Sequence, residues 1–391
     1  MYLLGIRADK IQEEDIVRLI ENKIQESKIL DYKKELNFSK DKDKKEFLFD
    51  ITAMHNTDGG CIVYGIEEEK DKNGQNTGRP SKISGIELEN SDKVFQQIED
   101  IINNSTEPNI SQLILKEIKT KNRTVLIIGI PKGINLPVMV TYNKTNKFYK
   151  RRNSGKFLVD VYELNQMFIE NQILAEKARD FRKKRIEEVI SQETIPNLNV
   201  ENSFFIHIIP YGFSQQKVSD FSSLEKKLIT QMRPFAYGSS SNNWDYMYNI
   251  DGFATFSSAY QIGIPTSYNQ LFRNGIFEIY SSNIFYDTYH QKPGFNGEKL
   301  IKQITESIKQ GIDTLEIINI DSPFFVSFSF RNVKGKIMDS QSSLKVPEFI
   351  KNDIDFPFIQ IPTRDSDIKK LLKPSFDILF QIFGKSGSPD I

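Results

Sequence analysis

The segment from residue 46 to residue 66 constrains the fold more than any other. Phe47, Leu48, Ile51 and Met54 recur at helical spacing. Asn56-Thr57-Asp58-Gly59-Gly60 then stops the helix, because glycine takes the left-handed conformation of a helix C-cap at least cost. Cys61-Ile62-Val63-Tyr64-Gly65-Ile66 follows as a continuous apolar run, which predicts a buried strand. A helix that turns through two glycines into a buried strand commits this part of the chain to helices packed on a sheet.

The flanks extend that reading. Ile11, Val17, Leu19, Ile20 and Ile24 give residues 11–25 a helical face, and residues 28–34 read as a strand. Residues 67–84 are charged and rich in Asn and Gly, as an exposed hairpin or loop is. Val94, Phe95, Ile98, Ile101 and Ile102 form the stripe of a further helix, and β-branched residues predict strands at 112–118 and 124–130, with another at 147–151. At 391 residues the chain exceeds one core. The fold class expected is α+β: a first domain over 1–170, a linking helix over 171–195 and a second α+β domain of unknown role over 196–391. Helical patterning itself runs from 163 to 192. Strands at 204–209, 276–280 and 324–330 and helices at 224–232, 298–310 and 368–383 are expected beyond it. Arg179 to Arg185 reads as an exposed basic helix face, and Trp244, Tyr246 and Tyr248 as filling a core or an interface.

Composition narrows the function. Lys plus Arg equals Asp plus Glu at 52 each, so any nucleic-acid-binding surface must be local. One cysteine, Cys61, and three histidines, His55, His207 and His290, argue against a disulfide framework and against zinc, and favour a reducing, cytoplasmic setting. No apolar run approaches the roughly 20 residues of a membrane span, so no membrane partner is expected. Gly384-Lys385-Ser386 lacks the earlier glycine of a phosphate-binding loop, with Leu379 in its place.

Carboxylates supply the candidate chemistry. Mg²⁺ and Mn²⁺ favour carboxylate oxygen and water over imidazole or thiolate. Glu26 and Asp31 lie at opposite parity on a strand, so they converge only if Glu26 ends the preceding helix and Asp31 sits on the strand. Glu68, or alternatively Glu67, at the exit of a neighbouring strand supplies a third acid, and alternation allows only one of them to do so. Lys33 shares the face of Asp31 and can reach a phosphate. Lys147-Phe148-Tyr149-Lys150-Arg151-Arg152 mixes cations with aromatics, the composition that neutralises phosphates and stacks bases. His55 is placed for a structural role in the helix rather than as a base, while Asn56 pins the turn. Gly59 and Gly60 serve as a cap in preference to a phosphate cradle.

These motifs in order resemble the Schlafen AlbA-like domain. Glu26-Ser27-x-x-x-Asp31-Tyr32-Lys33 is similar to its E-x-x-x-x-E-F-K, and Ala53-Met54-His55-Asn56-Thr57-Asp58-Gly59-Gly60 to its A-F-A-N-T-x-G-G. Tyr64-Gly65-Ile66-Glu67-Glu68 follows as I-G-V-x-D does, and Ile83-Ser84-Gly85-Ile86, Val125 to Pro131 and Pro137 with Phe148 to Gly155 continue the match over about residues 15–170. The resemblance implies a nucleic-acid module. In its nuclease members it implies a metal-dependent endoribonuclease acting on tRNA or other structured RNA. Carried over, Glu26, Asp31 and Glu68 (or Glu67) are the catalytic and Mg²⁺- or Mn²⁺-binding residues, and Lys33, Tyr149, Lys150, Arg151 and Arg152 the nucleic-acid contacts. Asp31 stands where the family has Glu, and Glu68 where it has Asp. A role in bacterial antiphage defence and a homo-oligomer are implied by analogy. The alternatives are a non-catalytic DNA- or RNA-binding regulator and an oligomerising interaction protein.

Overall fold

The computed structural model describes all residues except 89, 111–112, 121–122, 134–136, 154, 214–220, 237–242, 258–263, 340–346 and 390–391, and the side chains of 2 and 171. Gln112 and Ser154, named above within an expected strand and a motif, fall outside the described residues. The chain is α+β and divides into two compact units, Met1–Ile173 and Leu174–Ile391. The boundary falls inside one continuous helix.

The first unit is built on a mixed four-stranded sheet. After helix α1 (Glu13–Glu21), strand β1 (Leu30–Lys33) pairs in parallel with β2 (Gly60–Tyr64), which helix α2 (Asp41–His55) connects to it. Strand β2 also pairs antiparallel with β6 (Arg123–Ile130), and β6 with β5 (Ile114–Thr120). Between β2 and β5 come the hairpin β3 (Ile66–Lys70) and β4 (Asn76–Ile83), and helix α3 (Ser91–Asn103). All of β2 is buried because both sheet faces are covered. Ile62 and Tyr64 pack with Leu48, Ile51, Ile98 and Ile102 from α2 and α3, and Cys61 and Val63 with Ile16 and Leu19 from α1. Alternation therefore aims Leu30 and Tyr32 at α1, leaving Asp31 and Lys33 on the α2 face.

The turn after α2 holds this arrangement. Gly59 N–H donates to the Met54 carbonyl at 2.9 Å, capping the helix with φ at +69°. A Cβ on Gly60, at φ +139°, would lie 2.2 Å from the carbonyl oxygen of Ile29, so the corner admits only glycine. Strands β7 (Lys147–Arg152) and β8 (Gly155–Leu158) form a hairpin in a second sheet, before helix α4 (Val161–Ile190).

Helix α1 ends at Glu21, so Glu26 lies in the connection rather than on the helix end. Helix α4 starts at Val161, close to residue 163 where the helical patterning begins.

The second unit centres on an antiparallel sheet ordered β10 (Trp244–Tyr248), β11 (Gly252–Ser257), β12 (Ser267–Phe272), β13 (Phe277–Ser281), β9 (Ser203–Pro210), β14 (Phe324–Arg331). Ile354–Asp355 and Ile359–Ile361 add to the outer edge of β14. Helices α6 (Gly297–Ile317) and α7 (Ile368–Ile382) cover one face around Phe204, Ile206, Phe328 and Phe330, and the short α5 (Glu225–Gln231) precedes β10. Ile186 and Val189 of α4 pack with Phe205, Tyr268 and Tyr280 on the other face.

Two expectations need correction here. Of the core and interface alternatives for Trp244, Tyr246 and Tyr248, the core is excluded: they form an edge strand in which Tyr246 and Tyr248 are exposed, with both hydroxyls donating to the carboxylate of Glu225. Arg185 is not on an exposed basic face. It is buried, donating to Glu278 at 3.1 Å, and Glu278 also meets His207 Nε2 at 2.8 Å and accepts from the hydroxyl of Tyr268. Burial alone would raise the Glu278 carboxyl, but Arg185, His207 and Tyr268 hold it at about 2.

Candidate functional site

Asp31 is the centre of the first unit's polar chemistry. It is 3% exposed, and its Oδ1 accepts from Arg151 Nη2 at 2.6 Å. Its Oδ2 is buried without a directed hydrogen bond and faces the Lys33 ammonium at 2.7 Å. Lys33 Nζ is also 3.6 Å from Asp50 Oδ2, while Asp50 Oδ1 accepts from Lys156 Nζ at 2.7 Å and Lys156 reaches Glu46 at 2.6 Å. The result is a ladder of alternating charge, Glu46, Lys156, Asp50, Lys33, Asp31, Arg151, drawn from α2, β8, β1 and β7. Burial would raise the Asp31 carboxyl, yet Lys33 and Arg151 hold it at about 2. Burial likewise disfavours the Lys33 ammonium, but Asp50, Asp31 and Glu26 push it above its ordinary value.

Glu26 joins this ladder from the connection before β1. Its Oε1 accepts from the Tyr32 N–H at 2.8 Å, and its own N–H donates to Gly78 O at 2.7 Å, which seats it on the β3–β4 hairpin. Burial and the adjoining, hydrogen-bonded Asp31 carboxyl raise Glu26 to about 8. Among the described residues Asp31 has two cations in ion-pair contact and Glu26 has none, so the pair's proton sits on Glu26.

The third expected acid does not complete a cradle. Glu68 Oε1 accepts from Asn76 Nδ2 at 2.8 Å and Oε2 from Gly78 N–H at 2.9 Å, so both oxygens serve the hairpin. Glu67 turns to Lys82 at 3.3 Å and Lys34 at 3.7 Å. Among the described residues no group of three or more His, Cys, Asp or Glu side chains is placed to hold a metal ion. The donor set explains this, because the oxygens of Asp31 already meet a guanidinium and an ammonium. As placed, these residues do not fit Mg²⁺ or Mn²⁺.

The basic strand divides by parity. Arg151 is corrected from a nucleic-acid contact to an inward residue: 4% exposed, it also donates from Nε to Ser27 O at 3.1 Å and so ties β7 to the start of β1. Tyr149 shares that side, half-buried and stacked on Phe49 with centroids 4.2 Å apart. Lys150 and Arg152 point the other way, and the Arg152 guanidinium lies 4.1 Å above the Phe157 ring. Among the described residues Lys150 has no ion-pair partner. Asn56 fixes the strand from below, donating to Val138 O and Tyr149 O at 2.8 and 3.0 Å and accepting from Val138 N–H at 2.7 Å. His55 is structural: burial lowers it to about 4, and its Nδ1 meets Pro131 O at 2.7 Å.

Sequence reasoning missed Asp50 and Lys156. The signal for Asp50 was present, a lone acid inside the apolar run Phe47-Leu48-Phe49-Asp50-Ile51, where burial demands a cation.

Residues 26–160 match the family model described as Schlafen, AlbA_2. The chain carries a Schlafen AlbA_2 domain. Glu26 opens the matched span, and every member of the ladder lies inside the AlbA_2 domain. Among solved structures the chain is similar to the N-terminal domain of a RecG-related protein from Nitrosomonas europaea, at 16% identity and a TM-score of 0.27, covering 36% of this chain and 88% of that one. It is also similar to the DIP2311 protein of Corynebacterium diphtheriae, at 18% identity and a TM-score of 0.26, covering 39% of this chain and only 28% of that one. No curated protein matches the chain. The AlbA_2 assignment makes the first unit nucleic-acid-related, and no described helix of either unit is long and apolar enough to cross a membrane.

Proposed function

We propose that the AlbA_2 domain binds nucleic acid, most suitably folded RNA such as tRNA, through Lys33, Lys150 and Arg152. One observation carries this reading: β7 sends Arg151 inward to Asp31 while its neighbours Lys150 and Arg152 point away, so a single strand couples a basic outer face to the buried acid site. The segment from Lys147 to Leu158 carries no acid of its own although the chain as a whole is neutral; Arg152 meets Glu163 at 3.8 Å, and Lys150 has no ion-pair partner among the described residues. Anisotropy of labelled tRNA across a salt series tests it. A Lys150→Ala, Arg152→Ala variant should weaken binding and flatten the log Kd against log salt slope by about 0.7 to 0.9 per cation removed. An unchanged slope counts against this face.

Cleavage of that RNA is the finer reading, supported by the Glu26–Asp31 pair. Its environment holds one carboxyl protonated and the other ionised near neutral pH, the division of labour an acid and a base need. Incubation with tRNA in Mg²⁺, Mn²⁺ or EDTA, beside Glu26→Ala, separates the cases. Fragments that the variant does not produce support an endoribonuclease, those suppressed by EDTA a metal-dependent one. Intact RNA throughout leaves a binding domain.

A further inference from the structure

A divalent ion bound by carboxylates approaches oxygen to about 2.0–2.6 Å and competes with any resident cation for the same lone pairs. Here the resident cation is covalently attached. Strand geometry puts Lys33 two residues after Asp31 on one face, so its side chain curls back over the carboxylate it follows. Its ammonium lies 2.7 Å from Asp31 Oδ2, the oxygen Arg151 leaves unused, and 3.6 Å from Asp50 Oδ2. The carboxylates that surround Lys33 are thus Glu26, Asp31 and Asp50, with Glu68 committed to its own hairpin. Lys156 and Arg151 neutralise the outer sides of Asp50 and Asp31. The charged acids Glu46, Asp50 and Asp31 face the three cations Lys156, Lys33 and Arg151, and the protonated Glu26 adds no charge, which leaves no net negative charge to recruit a further ion.

We propose that Lys33 is the built-in cation of this site, taking the place of a divalent metal between Asp31 and Asp50, so that the domain engages nucleic-acid phosphate without a metal ion. Only the clause on phosphate rests on the nucleic-acid reading. The claim about the cation stands on these side chains alone.

Mn²⁺ titrated into the full-length protein without nucleic acid, and followed by the electron paramagnetic resonance signal of the free ion, tests it directly. Wild type and Lys33→Arg should leave Mn²⁺ free. Lys33→Met should gain one ion per chain, at least about tenfold tighter than any wild-type binding, since a positive charge beside two carboxylates has gone. Adding Asp31→Asn to Lys33→Met should abolish that gain. One Mn²⁺ bound by wild type and lost in Asp31→Asn overturns the proposal, as does a folded Lys33→Met protein that gains nothing. Should Lys33→Met fail to fold, the wild-type titration decides alone. In a second arm, tRNA affinity should be equal in EDTA and in Mg²⁺, and a strict Mg²⁺ requirement would overturn the proposal. Absence of any tRNA binding would sink the nucleic-acid reading and leave the Mn²⁺ result standing.

Discussion

At the scale of single residues, the ladder separates side chains that look alike in sequence. Asp31→Asn removes one charge from between the buried Arg151 guanidinium and the half-buried Lys33 ammonium, and breaking such a pair costs about 3 kcal/mol. Lys150→Ala removes a cation with no ion-pair partner among the described residues and should shift stability by less than about 0.5 kcal/mol. Urea unfolding of the two variants checks the contrast. Glu26 adds a pH dependence of opposite sense to most carboxylates. Its carboxyl rises from 4.5 to about 8 on folding, so its contribution is complete below pH 4.5 and is lost as pH climbs through 8. Stability should fall progressively between about pH 4.5 and 8 and level off above that, and Glu26→Gln, which keeps a Tyr32 N–H acceptor without the titration, should flatten that decline. Sequence made Asp31, Lys33 and Glu26 visible because strand parity and spacing are local. It misplaced Arg151 because parity places it with Tyr149 but does not say which side is buried. It missed Lys156 because nothing local ties it to Asp50, 106 positions away.

Elements show which parts of the fold tolerate change. The corner between α2 and β2 is the least forgiving. Gly60→Ala drives a Cβ against the Ile29 backbone at positive φ and should cost about 3 kcal/mol or more. Gly74, at the tip of the β3–β4 hairpin, also has positive φ but open space around it, so Gly74→Ala should cost only about 1 kcal/mol. Thermal melts of both variants test that order. The α2 turn and β2 were legible because helical spacing, a double glycine and an apolar run all agree. Strands β10, β11 and β12 were not: Asn269 and Gln270 of β12 are buried in partnerships with distant backbone and with Asn249, which hides the strand behind polar letters. Glu26 was expected on a helix end because residues 22–25 continue the apolar rhythm of α1 without continuing its hydrogen bonds.

For the whole molecule, each unit has its own buried ionic centre inside its own core. In the second unit Glu278 is fully buried among Arg185, His207 and Tyr268. Glu278→Gln leaves Arg185 short of a charge and should lower that unit's calorimetric transition by about 3 kcal/mol of stability, without moving the transition of Met1–Ile173. The wild-type contribution of Glu278 is present above pH 4.5 and is lost as pH falls toward 2, so acid should loosen the second unit along this limb. A fully burying β-sheet with a charged centre is not readable from composition, since Glu278 and Arg185 are separated by 93 positions. The ladder of the first unit also bears on how such a chain drifts over generations. Its members alternate in sign, so a lineage that loses one of them keeps the domain folded most easily by losing its neighbour too. Substitutions at Asp31 should therefore travel with substitutions at Arg151 or Lys33, and those at Asp50 with Lys156, as linked pairs.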